Sequence, residues 1–104
     1  MEYWNKNEEK IIGTFIHKAD EFKGAELLLK WDDENQMIAF FDIIIEDEDE
    51  CDIESEGYEE FWSFVFKAVK VKGQPPVYIT EDEYFIINYR NFPDEIFADG
   101  KKIN

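Results

Sequence analysis

The sequence predicts a single small α+β domain in which one amphipathic helix packs on a mainly antiparallel sheet of about five strands. Its length of 104 residues is enough for one hydrophobic core but not for two. Its hydrophobic content of 44% and aromatic content of 17% are well above those of disordered chains. Along residues 1–104 the pattern changes from strand-like apolar runs to helical spacing and back, which predicts the order β-β-β-α-β-β.

Three strands are predicted in the first half of the chain. Residues 10–17, KIIGTFIH, are rich in β-branched and aromatic residues, which favours a strand. Residues 25–31 form a second strand, and the polar residues 32–36 have the length of a hairpin loop. Residues 37–45, MIAFFDIII, are an almost unbroken apolar run, which indicates a central strand covered on both faces.

The predicted helix follows these strands. Its buried side is indicated by five apolar or aromatic residues at intervals of three and four. They are Tyr58, Trp62, Val65, Phe66 and Val69. Ser55 is placed to cap its start, and Gly73 followed by two prolines ends it. Residues 77–80 and 84–89 are then predicted to pair as a hairpin, and the dipeptide at 99–100 is predicted to close a short final one.

Charge is the most unusual property of the chain. The 26 acidic and 11 basic residues give a formal net charge of -15. Nucleic acids and anionic membranes repel such a surface, whereas a basic protein complements it. The sequence therefore predicts a basic protein as partner, and it predicts contact with neither nucleic acid nor membrane.

The carboxylates are densest in residues 46–56, EDEDECDIESE, which we call the acidic segment. This segment lies between the apolar residues 37–45 and the aromatic-rich residues 58–66, so predicted core elements hold it at both ends. An aromatic residue beside charged residues is typical of an interface anchor. We predict that the partner-binding residues are Asp47, Glu48, Asp49, Glu50, Asp52, Glu54, Glu56, Tyr58 and Glu59.

The sequence predicts no catalytic, metal or cofactor site. A calcium-binding loop that begins at Asp47 would need glycine in place of Asp52 and glutamate in place of Tyr58. Cys51 lies among carboxylates, which disfavour a reactive thiolate, and His17 is the only histidine available to a zinc site. We therefore expect a protein that is not an enzyme. The first residues lack the pattern of a secretory signal, so a cytoplasmic location is expected.

In size, charge and predicted α+β make-up the chain resembles the small acidic immunity proteins that neutralise bacterial nuclease toxins. These include the immunity proteins of contact-dependent growth inhibition and other polymorphic toxin systems. The resemblance covers the whole chain and rests on no specific motif, so no residue role is carried over. It implies an antitoxin-like inhibitor, monomeric when free, that binds one cognate toxin and blocks its active site or substrate groove.

Three other classes stay open at this point. Nucleic-acid-mimicking inhibitors of host DNA- or RNA-binding enzymes, of the anti-restriction or anti-CRISPR type, use the same charge against a different target. A small enzyme or metal-binding domain would show a specific affinity for divalent ions. A self-associating module would form a salt-insensitive homodimer through exposed aromatic surface. The neighbouring gene separates the first class from an immunity protein, which usually follows its toxin.

Overall fold

One helix and six strands of a single antiparallel sheet make up the described part of the chain. The structure is a computed structural model and describes residues 6–48 and 60–104. Helix α1 spans Lys6–Ile16, and a 3-10 turn follows at Ala19–Phe22. The strands are β1 (Glu26–Lys30), β2 (Gln36–Glu48), β3 (Glu60–Lys72), β4 (Tyr84–Ile87), β5 (Glu95–Ala98) and β6 (Lys101–Lys102). Their order across the sheet is β4-β3-β2-β1-β5-β6, with antiparallel neighbours throughout.

The hydrophobic core lies between α1 and one face of the sheet, which we call the core face. The helix contributes Ile12, Phe15 and Ile16, all of them buried. Because alternate side chains of a strand point to opposite faces, the strands β1 to β5 contribute residues from one face to the core. These residues are Leu27, Leu29, Met37, Ala39, Phe41, Phe64, Phe66, Phe85, Ile87 and Ile96. The result is a two-layer domain, with the helix on one face of the sheet.

The predicted α+β class is confirmed, and so are two of the predicted strands. β1 corresponds to predicted residues 25–31, and β2 begins one residue before predicted residues 37–45 and continues to Glu48. β2 is a central strand, as predicted, because it pairs with both β1 and β3. Only one of its faces is fully covered, however, because Phe40 and Ile43 are exposed on the face opposite the core.

The prediction of a strand at residues 10–17 is wrong, because these residues belong largely to α1. Ile12, Phe15 and Ile16 are buried at intervals of three and one, whereas Ile11 is exposed. This spacing places the three buried side chains on one side of a helix. The β-branched residues that suggested a strand lower helix propensity only slightly, and burial against the sheet outweighs that difference.

The prediction of a helix beginning near Tyr58 is also wrong for the described residues, because Glu60–Lys72 form β3. Trp62, Phe64 and Phe66 alternate toward the core face, and Phe61 and Val65 add apolar residues on the other face. A strand with apolar residues on both faces reproduces intervals of three and four by coincidence. The order β-β-β-α-β-β is therefore replaced by a helix followed by six strands in the described residues.

The prediction of a hairpin from residues 77–80 and 84–89 is correct only in its second half. β4 pairs with β3 and not with residues 77–80, which form no strand. Val77 and Ile79 instead pack against the core cluster. The predicted final hairpin is confirmed: β5 and β6 pair across a turn in which Asp99 and Gly100 have φ angles of 52° and 79°.

The β1–β2 turn is tied to the segment that follows β3. The Asp32 carboxylate accepts hydrogen bonds from the Asn35 side chain at 2.9 and 3.0 Å and from the backbone N–H groups of Glu34 and Asn35 at 2.8 Å. These bonds, chiefly the one from the Asn35 side chain, hold the pKa of Asp32 below its ordinary value. The Asn35 side-chain oxygen in turn accepts a 2.8 Å bond from the backbone N–H of Gln74.

Candidate partner-binding site

Four acidic residues lie together at one end of the β2–β3 hairpin, which we call the acidic end. It consists of Glu46, Asp47 and Glu48 on β2 and of Glu60 on β3. In the register of the ladder, Glu46 is opposite Trp62, Asp47 is opposite Phe61, and Glu48 is opposite Glu60. Two acidic residues are thus Cα partners at the end of the ladder.

The structure tests the position of only two of the predicted partner-binding residues. Asp47 and Glu48 are the last two residues of β2 and lie at the acidic end. The other predicted residues lie outside the described part of the chain. They are Asp49, Glu50, Asp52, Glu54, Glu56, Tyr58 and Glu59. The structure therefore brings Asp47 and Glu48 together with Glu46 and Glu60, two acidic residues that were not predicted to bind a partner.

Asp47 is held by a contact on the face opposite the core. Its carboxylate accepts a 3.2 Å hydrogen bond from the hydroxyl of Ser63, which is fully buried. Ser63 lies on β3 opposite Ile45 in the register, two positions along the strand from the Cα partner of Asp47. A short side chain fixed in this way loses less conformational freedom when it binds a partner.

Helix α1 holds the other side of the acidic end through Glu8. This carboxylate is fully buried, and its Oε2 atom accepts a 2.7 Å hydrogen bond from the backbone N–H of Trp62 on β3. The bond links the first turn of α1 to the start of β3, 54 residues later in the chain. Sequence reasoning missed Glu8. The available signal was its position four residues before Ile12, on the same side of the helix as the apolar residues of α1.

Replacing Glu8 with alanine is expected to lower the free energy of unfolding by about 1–3 kcal/mol, because the Trp62 N–H loses its acceptor in a partly buried position. The Glu8→Gln variant is the matched control, since it keeps an oxygen that accepts the same bond, and its loss is expected to be smaller. Urea denaturation followed by tryptophan fluorescence measures both. Equal losses in the two variants would show that this hydrogen bond does not hold the strand.

Aromatic rings and one guanidinium group pack beside the acidic end. The Arg90 guanidinium lies 5.0 Å from the centre of the Phe61 ring and 5.7 Å from that of Tyr89. The Phe61 and Tyr89 rings are themselves 6.5 Å apart in an edge-on arrangement. Cation–π contacts of this kind favour a fixed position for the guanidinium. The acidic end therefore combines carboxylates with an ordered aromatic cluster, as many protein interfaces do.

Charge is polarised along the hairpin. The lysines of β3, at positions 67, 70 and 72, lie at the opposite end of the strand from Glu60. At a rise of about 3.3 Å per residue, the nearest of them is roughly 23 Å from Glu60 along the strand. That separation is well beyond the Debye length of about 8 Å at physiological ionic strength. A partner at the acidic end is thus screened from these lysines.

Within residues 6–48 and 60–104 no three His, Cys, Asp or Glu side chains are grouped so that they would hold a metal ion. None of the helices described there is long and apolar enough to cross a membrane.

Comparison of the chain with protein-family models, with curated proteins and with solved structures finds no match.

Proposed function

We propose that this protein is an immunity protein, an inhibitor that binds a basic nuclease toxin through the acidic end and blocks the toxin's active site or substrate groove. The observation that carries the proposal is the pairing of acidic residues where the two longest strands of the described sheet end, with Glu48 opposite Glu60. Acidic residues at neighbouring positions reinforce the local negative potential, which attracts a positively charged partner.

The way in which the acidic end is held suits an inhibitor. Its strands are continuous with the central ladder of the sheet, and Glu8 and Ser63 fix its two sides through hydrogen bonds. Groups that are held before binding lose little entropy on binding, which raises affinity. Concentrated negative charge also steers a basic partner, and on-rates reach about 10⁸–10⁹ M⁻¹s⁻¹ at low salt in such cases.

The chemistry of a nuclease makes it a fitting target. A nuclease groove presents arginine and lysine side chains toward phosphate groups, and carboxylates can pair with the same side chains. The acidic segment begins in β2 at Glu46, so its remaining carboxylates follow those of the acidic end in sequence. An inhibitor with this charge competes with the substrate for the same groups, and its binding is expected to weaken as salt rises.

The test begins with capture of partners by the tagged protein from the cells that encode it, with elution in steps of increasing salt. The basic protein that elutes at high salt is then assayed for cleavage of plasmid DNA and of RNA, with and without added inhibitor. We expect one nuclease whose activity is lost at an equimolar amount of this protein. An absence of any salt-eluted basic protein, or a captured nuclease that stays fully active, would contradict the proposal.

A pair of variants then locates the contact. The first carries Glu46→Gln, Asp47→Asn and Glu48→Gln, and the second carries Glu81→Gln, Asp82→Asn and Glu83→Gln in the exposed turn before β4. Each variant removes the same number of negative charges from consecutive residues. The first is expected to lower the association rate about tenfold or more at low salt, and the second to lower it much less. Equal effects would show that net charge, and not the acidic end, drives association.

The same experiment separates the alternative of a nucleic-acid-mimicking inhibitor. In that case the captured enzyme is a DNA- or RNA-binding enzyme of the host that is unrelated to the neighbouring gene. Binding would still depend on carboxylates, so the identity of the captured protein decides between the two functions.

A further inference from the structure

The face of the sheet opposite the core carries a second unusual surface, which we call the open face. Because side chains alternate along each strand, the residues between the core positions point to this side. Its apolar members are Leu28, Ile38, Phe40, Ile43, Tyr84, Ile86 and Phe97. Four of them are exposed, namely Phe40, Ile43, Tyr84 and Ile86. These residues lie on four of the strands, β1, β2, β4 and β5, and apolar surface of this extent marks an interaction site.

The charge of the open face differs from that of the whole protein. Its lysines are Lys30, Lys67, Lys70, Lys72 and Lys102, and its carboxylates are Glu26, Asp42, Asp47, Glu95 and, at the rim, Asp99. Positive and negative groups are therefore nearly balanced here, although the chain as a whole carries -15. Two lysines also lie over aromatic rings, with Lys30 Nζ 5.8 Å from the Phe97 ring and Lys67 Nζ 5.8 Å from the Tyr84 ring.

We propose that the open face binds the open face of a second copy, so that two sheets pack face to face in a homodimer. Two chains of the same strong negative charge repel each other at most orientations. The open face is where this repulsion is weakest, because its own lysines offset its carboxylates. Two sheets that pack face to face bury the apolar side chains of their inner faces, as in a β-sandwich. This proposal replaces the expectation of a free monomer and is independent of the proposed function.

The size of the open face agrees with what a dimer requires. Six strands about 4.8 Å apart, with roughly 20 Å of exposed strand length, give a flat face of about 600 Å² in each copy. Two copies together would bury on the order of 1,200 Å², which lies at the lower end of the range for specific interfaces. An open groove of about 470 Å³ between β5, β1 and β2, lined in part by Leu28, Ile38 and Phe97, would accept side chains of the facing sheet.

The edge of the sheet is a less suitable place for self-association. β3 is an edge strand beyond the residues that pair with β4, and there it carries Lys70 and Lys72. The register of β3 with β2 skips Val69, which forms a bulge. Lysines and bulges on an edge strand oppose pairing with another strand. Contact through the face uses the apolar residues and leaves this edge, together with the acidic end, in solvent.

Sedimentation velocity of the purified full chain, without any partner, tests the proposal. We expect a particle with twice the 12.5 kDa mass of the chain. High sodium chloride is expected to keep or strengthen it, because apolar burial persists while the repulsion between the two chains is screened. The Ile43→Glu variant is expected to raise the dimer dissociation constant about a hundredfold, since the dimer would bury an unpaired carboxylate from each copy. The Phe40→Glu variant provides a second measurement at the same face.

The matched control is Ile11→Glu on α1. Ile11 is 43% exposed and Ile43 is 39% exposed, so the same substitution is made at equal exposure on opposite layers of the domain. The control is expected to leave the dimer intact, and cooperative unfolding of each variant confirms that it is folded. A wild-type protein that stays monomeric at all concentrations overturns the proposal, whatever other protein or polyanion the face retains. A dimer that survives both open-face variants but is lost with Ile11→Glu overturns it as well.

Discussion

Replacing Phe15 with alanine is expected to lower the free energy of unfolding by about 3–5 kcal/mol. Phe15 is fully buried, and its ring lies 5.7 Å from that of Phe41, 5.3 Å from that of Phe64 and 5.9 Å from that of Phe92, measured between ring centres. Through this side chain α1 contacts β2, β3 and the segment before β5. Truncation leaves a cavity among rings that are themselves packed against each other, so the surroundings have little room to relax.

Ile11→Ala is the control for this prediction. In α1, Ile11 is exposed while Phe15 is buried, so the control is expected to change stability by less than about 0.5–1 kcal/mol. The two residues are four positions apart and lie near each other on the helix, so their different burial accounts for the different effect. Chemical denaturation of both variants measures the difference. Similar losses at the two positions would contradict the burial of Phe15 between α1 and the sheet.

Replacing Gly73 with alanine is expected to be the most damaging of the glycine substitutions in turns. Gly73 has a φ of 73°, a left-handed conformation in which a Cβ atom costs about 1–2 kcal/mol. The added Cβ would also collide with the backbone oxygen of Glu34 and lie 2.7 Å from the side-chain oxygen of Asn35. Overpacking of this kind costs typically about 1–3 kcal/mol more. The Asn35 oxygen cannot retreat freely, because it accepts the hydrogen bond from Gln74.

Gly100→Ala separates the two contributions. Gly100 has a φ of 79°, close to that of Gly73, but a Cβ built there has no atom within 4 Å. Gly100→Ala therefore includes the cost of a left-handed alanine backbone without the collision. We expect Gly73→Ala to destabilise the protein by at least about 1 kcal/mol more than Gly100→Ala, measured by thermal or urea denaturation. Equal effects would show that the β1–β2 turn and the segment after β3 are not packed as closely as the structure shows.

The sequence predicted only part of the candidate site. The sequence predicted that carboxylates between two apolar segments would be held at both ends, and Asp47 and Glu48 do lie at the end of a long ladder. It did not predict Glu60 as their neighbour, because residue 60 was assigned to a helix. Nor did it predict the buried Glu8, because a carboxylate that accepts a bond from a strand 54 residues away leaves no local pattern.

The open face could not be predicted from the sequence either, because it too leaves no local pattern. Lys67, Lys70 and Lys72 lie within the predicted helix, where their side chains would be spread around a cylinder. In β3, Lys67 and Lys70 lie on the same face as Phe40 and Ile38 of the neighbouring strand, because cross-strand partners share a face. The charge balance of this face can be recognised only when the register of the sheet is known.

The sequence by itself determined the α+β class, β1, β2 and the strong negative charge. These depend on composition and on apolar runs that have one interpretation, such as residues 37–45 in a central strand. Only the tertiary structure decided that residues 6–16 are a helix and residues 60–72 a strand. Both segments have apolar residues at intervals compatible with either element. Burial decides between the two elements. Ile12, Phe15 and Ile16 pack together because they lie on one side of a helix. Phe64 and Phe66 lie on one face of a strand, from which the Phe64 ring contacts Phe15 and the Phe66 ring contacts Phe41.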